Sequence, residues 1–333
     1  MRNYDYQDKW KALLTPRVVR NLMVIHEYRG EQRIIVGRHA DVLENFVEVA
    51  KMQSAESSNR MEGIQTSDER LKKIMLNKTM PKNRMEREIA GYRDVLNMIH
   101  ENSEHIPVRS TFILQFHREL YKYENTKSGG VFKNVDDETS ESVDRLCKAY
   151  RDAVGHAEVD TLLLIPMFMV DFLCICPFQC GNGRMSRLLM QLLLYQSDYN
   201  VGKYISVDRR IEKETDTYYR ALQESFKGWR EEENNYEPFV DCLLRGIAAA
   251  YREFSDRTRR LEEKKITKPD RVEEEIRNTV GTITKAELME KASGVSQTTI
   301  QRTLAELVKK GKIRKIGGGR YTKYEWNRED GQQ

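Results

Sequence analysis

The spacing of apolar positions predicts a mostly helical body. From Asp41 to about Tyr251 the apolar residues recur at intervals of three and four, which is typical of amphipathic helices. Pro81, Pro107 and the Ser128–Gly130 stretch interrupt this pattern, so we expect loops between helices at these points. A length of 333 residues then allows one sizeable core and a smaller second domain.

The pattern changes near the C-terminus. A run from Asp256 to Lys265 is charged and nearly without apolar residues, and Pro269 follows it, which favours a helix tail and a linker. We therefore place a domain boundary near Lys265 and expect three regions: an N-terminal helical region (1–110), a helical core (111–264) and a small C-terminal domain (265–330).

The C-terminal domain has the pattern of a helix-turn-helix followed by a hairpin. Thr284 can cap a first helix over residues 285–292, a short turn at 293–295 follows, and Ser296 can cap a second helix over 297–310. Apolar and basic residues at 312–316 and 320–324, on either side of three glycines, predict a β-hairpin. This order of elements resembles a winged helix.

A winged helix can bind DNA through its second helix and its hairpin. Residues 265–333 contain 15 Lys and Arg against 10 Asp and Glu, which accounts for the basic excess of the whole chain. The side chains that we expect to contact bases or phosphates are Gln297, Thr298, Gln301, Arg302, Arg314, Lys315 and Arg320. A docking or dimerisation module is the alternative, because winged helices serve both purposes.

Composition at the other end of the chain bears on the compartment. The N-terminus has no basic start followed by an apolar stretch and a small-residue cleavage site. The longest apolar run, Leu162 to Ile175, contains Asp171 and is short for a membrane span, so we expect a buried core helix. The five cysteines are unevenly placed, unlike a secreted disulfide framework. We expect a soluble cytoplasmic protein with reduced thiols.

The most informative segment is a loop that leads into a helix. It reads Cys176-Pro177-Phe178-Gln179-Cys180-Gly181-Asn182-Gly183-Arg184-Met185-Ser186-Arg187. Gly181 and Gly183 permit turns that other residues resist, and free amides at a helix start attract anions, with Asn182 and Arg184 beside them. The residues alone leave two interpretations open: a phosphate-binding loop, or a tight turn with solvated arginines.

The whole segment resembles the signature of the Fic family, His-Pro-Phe-x-(Asp/Glu)-Gly-Asn-Gly-Arg-x-x-Arg. Two further stretches carry the same resemblance: residues 58–63, similar to the family's inhibitory Ser-x-x-x-Glu-Gly motif, and residues 88–94. It covers roughly residues 41–251 and implies an all-α Fic fold, a helical bundle, ahead of the winged helix-turn-helix domain.

The resemblance also implies an activity and roles for individual residues. Most Fic proteins transfer AMP from ATP to a hydroxyl group of a target protein, and many form dimers, so ATP, an unknown target protein and a second copy of the chain are the expected partners. Gly181, Asn182, Gly183 and Arg184 would bind phosphates, and Arg187 would hold the terminal phosphates. Ser58 and Glu62 would be inhibitory, with Glu62 pairing with Arg187 and blocking productive placement of ATP.

Two substitutions in the motif affect the chemistry. Cys176 stands in the place of the family's catalytic histidine, and a thiol is a poorer general base than an imidazole at neutral pH. Cys180 stands in the place of the acid that holds Mg²⁺, and sulfur is a weak ligand for that cation. A longer β-hairpin flap in relatives is reduced here to residues 137–141, before a helix that we expect from Ser142.

Other interpretations of the cysteines stay open. The sulfur atoms of Cys174, Cys176 and Cys180 are soft ligands of the kind that zinc prefers, although no fourth ligand lies close in sequence. A redox switch between Cys176 and Cys180 is a second alternative. His100, His117 and His156 lie in predicted helices away from the motif, so we expect none of them to replace the missing base.

Two functional classes follow. The first is a Fic-type adenylyltransferase with weakened, altered or lost catalysis that still binds ATP. The second is a non-catalytic, nucleotide-responsive regulator that acts through DNA binding by the winged helix.

Overall fold

The computed structural model describes residues 2–4, 6–38, 40–124, 129–133, 137–156, 159–263, 267–292, 294–319 and 322–327. Helices of the body are α1 (Pro16–Arg38), α2 (Ala40–Arg60), α3 (Asp68–Met75), α4 (Arg84–Asn102), α5 (Ser110–Leu120), α6 (Asp137–Gly155), α7 (Thr161–Ile175), α8 (Asn182–Gln196), α9 (Val207–Lys213), α10 (Thr215–Phe226) and α11 (Glu237–Glu263). The C-terminal part contains α12 (Lys268–Asn278), β1 (Thr282–Thr284), α13 (Lys285–Lys291), α14 (Gln297–Lys309), β2 (Ile313–Ile316) and β3 (Lys323–Trp326). Short 3₁₀ helices lie at Lys9–Leu13, Ser103–His105 and Asn200–Lys203.

Helix α7 is the centre of the body, as its apolar sequence predicts. Asp160 caps it by accepting from the amide of Leu162 at 2.9 Å, and residues 162–172 are all buried. It packs against α6, α8 and α11, and residues on both sides of position 110 contribute to the same hydrophobic core. None of the helices within the described ranges is both long and apolar enough to span a bilayer.

The aspartate in this apolar helix is held by a closed set of donors. Asp171 is fully buried and accepts hydrogen bonds from Tyr6 Oη at 2.6 Å, Trp229 Nε1 at 2.6 Å and Tyr236 Oη at 3.0 Å. Because a buried carboxylate needs such partners, Asp171 joins the N-terminal segment and the segment before α11 to the core.

A close contact between α4 and α5 fixes one wall of the loop that the sequence singled out. A Cβ on Gly91 would overlap the carbonyl of Leu120, so only glycine allows the two backbones to approach this closely. The contact places Glu88 of α4 near Tyr121, which directly follows α5.

The C-terminal part is a small winged helix with a three-stranded sheet of order β1-β3-β2. The predicted caps are confirmed: Thr284 accepts from the amide of Glu287 at 3.2 Å, and Ser296 from that of Thr299 at 3.3 Å. The hairpin differs from the prediction in its second strand, because Ile316 pairs with Lys323 and β3 extends over Lys323–Trp326. The predicted boundary at Lys265 and the wing residue Arg320 lie outside the described residues.

Helix α12 was not predicted, because Pro269 was interpreted as part of a linker. In the structure Pro269 lies in the first turn of α12, where proline is well tolerated, and Asp270 accepts from the amide of Thr267 at 3.3 Å. Strand β1 is a further element that the sequence did not reveal.

The winged helix is packed directly on the body. Val280 joins an apolar cluster with Leu71, Ile74 and Ile89. Glu275 accepts from Asn45 at 3.1 Å, and Lys72 pairs with Glu287 at 3.0 Å.

Candidate nucleotide site

The loop between α7 and α8 is shaped by two residues with left-handed backbones. Cys176 ends α7 with a φ of 48°, and Gly181 precedes α8 with a φ of 78°. The side chain of Asn182 accepts from the amide of Phe178 at 3.0 Å and donates to the carbonyl of Phe178 at 2.8 Å. These bonds close the loop on itself. α8 starts directly after the loop, and the backbone amides of its first turn favour an anion.

Arg184 is turned into the protein. It is 2% exposed and donates to Glu88 at 2.5 Å, to Tyr121 Oη at 2.7 Å and to Asn59 Oδ1 at 3.3 Å. Among the described residues, no acceptor lies within hydrogen-bonding distance of Arg184 Nε. Its role in phosphate binding stays a prediction, and Glu88 and Tyr121 are residues that sequence reasoning did not assign to the site.

Arg187 is the deepest cation of the site. It is 1% exposed, and its guanidinium donates to Ser58 Oγ at 2.7 Å, to the Ser58 carbonyl at 2.9 Å and to Glu62 Oε1 at 2.7 Å. The pairing of Glu62 with Arg187 that the sequence predicts is therefore present in the fold. Burial opposes the positive charge, but Tyr218 and Glu62 favour it, and the net effect raises the pKa of Arg187.

The end of α2 presents Glu62 to α8. The helix ends at Arg60, and the amides of Glu62 and Ile64 both donate to the Asn59 carbonyl at 3.0 Å, with Gly63 in the left-handed region at a φ of 73°. The Glu62 carboxylate lies so close to Gly183 that a Cβ there would overlap it. Glu62 thus places a negative charge beside the first turn of α8, where the helix dipole favours it.

A second buried carboxylate lies behind Arg187. Asp208 of α9 is fully buried and accepts from Gln191 Nε2 of α8 at 2.6 Å. Burial raises the pKa of Asp208 to about 6, and the nearby charge of Arg187 acts in the opposite direction. No sequence motif pointed to this residue.

The two cysteines of the motif are half-buried free thiols. Asn182 Nδ2 lies 3.4 Å from Cys176 Sγ, within reach of a weak hydrogen bond. The donor set does not fit Mg²⁺, because Cys180 offers sulfur, Glu62 pairs with Arg187 and Glu88 pairs with Arg184. Within the described ranges, no group of three or more His, Cys, Asp or Glu side chains is arranged to hold a metal ion.

The expectation that His117 lies away from the motif is wrong. Its ring stacks on Phe178 at a centroid distance of 3.7 Å, Nε2 donates to the Cys180 carbonyl at 3.2 Å, and Nδ1 accepts from the amide of Gly130 at 3.0 Å. Burial lowers the pKa of His117 to about 4, so the ring is neutral at pH 7. Sequence spacing could not reveal this contact, because α5 and the loop meet only in the fold.

The predicted flap remnant at residues 137–141 is also wrong, because α6 begins at Asp137 and takes up these residues. The short segment 129–133 runs beside the loop instead. The amide of Lys133 donates to the Pro177 carbonyl at 2.9 Å, and Phe132 stacks on Phe178 at 5.5 Å. This segment therefore pairs with the backbone of the loop itself.

The candidate DNA-binding side chains are exposed. Gln297, Thr298, Gln301 and Arg302 share the outer face of α14. On β2, Arg314 pairs with Glu325 at 3.0 Å, and Lys315 is exposed. The second helix and the wing thus present polar and basic groups to solvent.

These features define a helical protein with an anion-attracting loop that is closed by a carboxylate and followed by a winged helix. Residues 107–194 match the profile of the Fic/DOC family. Residues 277–327 match the C-terminal domain of the transcriptional regulator DIP2311-like family. Fic domains generally transfer nucleotide or phosphate groups to proteins.

Solved structures support the fold. A Fic family protein from Desulfovibrio desulfuricans G20 is 18% identical with a TM-score of 0.59, covering 96% of this chain and 98% of that protein. A Fic domain containing signaling protein from Bacteroides thetaiotaomicron VPI-5482 is 17% identical with a TM-score of 0.56, covering 69% and 97%. Fic-1 (aa134–508 E274G) from C. elegans is 17% identical with a TM-score of 0.57, covering 72% of each chain. No curated protein matches the chain.

Proposed function

We propose that this Fic-domain protein binds ATP under the control of Glu62, has weakened or lost the transfer of AMP, and acts as a nucleotide-responsive regulator through its winged helix. The observation that carries the proposal is the contact of Glu62 with Arg187 and with the start of α8. A carboxylate in this position competes with the terminal phosphates of a nucleotide for the same cation and the same helix end.

The loop and the start of α8 offer groups that suit the phosphates of ATP. The first turn of α8 supplies amides, Gly183 allows close approach of a phosphate, and Arg187 supplies a buried positive charge. Arg184 contributes a second cation, with its Nε directed at no acceptor among the described residues. Movement of Glu62 would release Arg187 for the terminal phosphates.

The loop lacks what AMP transfer requires. Cys176 is in the position of the general base, and its sulfur contacts the side-chain amide nitrogen, Nδ2, of Asn182. Cys180 does not replace a magnesium-binding carboxylate, because that cation prefers oxygen ligands. His117, whose ring stacks on Phe178 of the loop, uses both ring nitrogens to hold backbone groups and so cannot take the role of base.

ATP binding by the Glu62→Gly variant tests the first half of the proposal. We expect at least about tenfold tighter binding than in the wild type, or about 1.4 kcal/mol, measured by isothermal titration calorimetry. Glu56→Gln is the control, since Glu56 is a carboxylate of α2, just before Glu62 in the chain, that pairs with Arg60 and not with Arg187. Equal affinities in the wild type and the Glu62→Gly variant would contradict the inhibitory role.

Labelling of the same variant tests the chemistry. Glu62→Gly protein is incubated with α-labelled ATP and Mg²⁺ or Mn²⁺, with and without the restoring pair Cys176→His and Cys180→Asp. We expect label on protein only in the restored form. Label on the unrestored form would instead establish a transferase that uses a thiol in the position of the base.

The output through DNA is the part of the proposal that concerns the C-terminal domain. The exposed polar face of α14 and the basic wing support it, as does the match of residues 277–327 to a transcriptional regulator domain. The contacts of Val280 and Lys72 connect this domain to α2, α3 and α4, and α2 ends next to Glu62. A change at the nucleotide site therefore has a packed route to the wing.

A further inference from the structure

A basic cavity lies between the helical body and the winged helix, and it shares no residue with the loop of the nucleotide site. Its volume is about 600 Å³. The body contributes residues of α2, α9 and α11, and the C-terminal part contributes residues of α12 and of the base of the hairpin. Cavities of this size are typical of small-molecule sites.

The charges that line the cavity are strongly unbalanced. Six cations face it: Arg209, Arg210, Lys213, Arg257, Arg277 and Lys312. Glu253 is the one carboxylate in the lining that the described residues provide, and it pairs with Arg210 and with Arg257. Outside the lining, Glu273 pairs with Arg277 at 3.1 Å and with Lys312 at 2.7 Å, and Glu214, Glu212 and Glu274 act on Arg210, Lys213 and Arg257. Within the lining, the described residues provide six cations against one carboxylate.

The cations also disfavour one another. Burial, followed by Arg257 and Arg209, lowers the pKa of Arg210. Burial, followed by Arg210 and Arg209, lowers the pKa of Lys213. A cluster of like charges in a concave, partly buried position concentrates a positive field, and an anion with several charges would relieve the repulsion.

We propose that this cavity is a binding site for a small polyphosphate anion of about the size of a nucleotide. Arginine forks suit phosphate oxygens, and the ring of Trp326, with Arg277 over it at 4.7 Å, forms an aromatic wall. DNA is a weaker candidate, because the outward face of α14 contributes no residue to the lining. Binding in this cavity does not require that the proposed ATP site binds a nucleotide.

The cavity is also next to the nucleotide site through one short helix. α9 presents Asp208 towards Arg187, and its following residues, Arg209, Arg210 and Lys213, line the cavity. Ser206, which caps α9, accepts from the amide of Arg209 at 3.0 Å and contacts Ser54 of α2 at 2.9 Å. A ligand in the cavity therefore binds to the helix that supports the phosphate-site arginine.

Calorimetric titration of the full chain with inorganic tripolyphosphate, at about 0.15 M salt, tests the site. We expect binding to the wild type and at least about tenfold weaker binding to the Arg209→Gln/Lys213→Gln variant. Arg230→Gln/Lys227→Gln is the matched control, because it removes the same two charge types from exposed positions outside the lining. Arg187→Gln reports on the loop, and the cavity site should survive it.

Additional titrations and a second variant complete the test. ATP and adenosine, titrated in the same way, show which part of a nucleotide is bound. Binding of ATP but not adenosine supports recognition of the phosphates. If the double variant misfolds, Lys213→Glu at an exposed position replaces it, with the same expected loss. Equal affinity in the wild type and the cavity variant, loss of binding only in Arg187→Gln, no binding to the wild type, or binding of duplex DNA but not tripolyphosphate would each overturn the proposal.

Discussion

Glu62 belongs to the stretch at residues 58–63 and Gly183 to the loop segment at 176–187, and the two residues meet at the start of α8. The carboxylate that pairs with Arg187 at 2.7 Å occupies the space that a side chain at position 183 would need. Glycine at 183 is therefore required for the inhibitory contact itself, besides any role in phosphate approach.

This relationship predicts that Gly183→Ala and Glu62→Gly are energetically coupled. In the wild type, the new methyl group displaces Glu62 from Arg187, and we expect a loss of about 1–2 kcal/mol in the free energy of unfolding. In the Glu62→Gly background the clash is gone, and alanine in a helix becomes neutral or stabilising by up to about 1 kcal/mol. Urea unfolding of the four proteins measures the coupling.

Gly246→Ala is the control for this cycle. Gly246 lies inside α11, and a Cβ there meets nothing within 4 Å. Its effect should be the same with glutamate or glycine at position 62. Additivity of Gly183→Ala with Glu62→Gly, as with Gly246→Ala, would show that the carboxylate does not occupy the start of α8.

Most of this site was accessible from the sequence, because it depends on a local motif. The loop, the glycines and the pairing of Glu62 with Arg187 follow from short stretches whose residues have defined partners in a family. What the sequence could not provide is the surroundings that come from distant helices. His117, Asp208 and Tyr121 reach the site only through the packing of α5 and α9 against the loop and α8.

The buried His117 predicts how the loop responds to acid. Burial lowers the pKa of His117 from about 6.5 to about 4. The unfolded chain therefore binds a proton that the folded chain refuses, so this contribution to stability is complete above pH 6.5 and is lost as the pH falls towards 4. We expect His117→Gln to reduce the slope of unfolding free energy against pH in this range by up to about 1.4 kcal/mol per pH unit.

His100 provides the comparison. Burial lowers the pKa of His100 to about 3, and its Nε2 lies 3.2 Å from Tyr195 Oη, away from the loop. His100→Gln should also reduce the slope, but only His117→Gln should change the mobility of the loop, measured by hydrogen exchange at the amides of 129–133 and 178–181. Parallel pH curves for the wild type and His117→Gln would contradict the assignment.

The sequence predicted the fold class, but it predicted the bounds of some helices and the connection between the two domains less well. The caps at Thr284 and Ser296 were visible because their hydrogen bonds are local. α1, over Pro16–Arg38, lies within the predicted N-terminal helical region, but its bounds were not predicted, because the periodic pattern was recognised only from Asp41. α12 was missed because a proline in a first turn and a proline in a linker look the same in sequence.

The contact between the two parts of the chain predicts a specific glycine requirement. Gly281 has a φ of 72°, and a Cβ there would lie 2.7 Å from Asp68 Cβ. Gly281→Ala therefore combines backbone strain with a clash at the interface, and we expect a loss of about 2–4 kcal/mol and separation of the unfolding transitions of the two parts. Gly294→Ala, with a φ of 78° and nothing within 4 Å, carries the strain alone, about 1 kcal/mol.

Calorimetric melting compares the two variants. The difference between them isolates the packing of the winged helix on α3. Equal losses in Gly281→Ala and Gly294→Ala would mean that this contact does not support the docked arrangement.

The wing and the second helix should have different effects on DNA binding. Arg314 and Lys315 are exposed basic residues on β2, suited to phosphates, whereas Gln301 on α14 is suited to base edges. With a duplex selected from random sequences, we expect Arg314→Gln/Lys315→Gln to reduce the slope of log affinity against log salt by about two. Gln301→Ala should keep the slope and lower the preference for the selected duplex by about 1–3 kcal/mol.

Lys148→Gln, at an exposed position on α6, is the charge control and should change neither quantity. Binding that is weak and independent of salt, or equally affected by all three variants, would indicate that the C-terminal domain serves protein docking in place of DNA recognition.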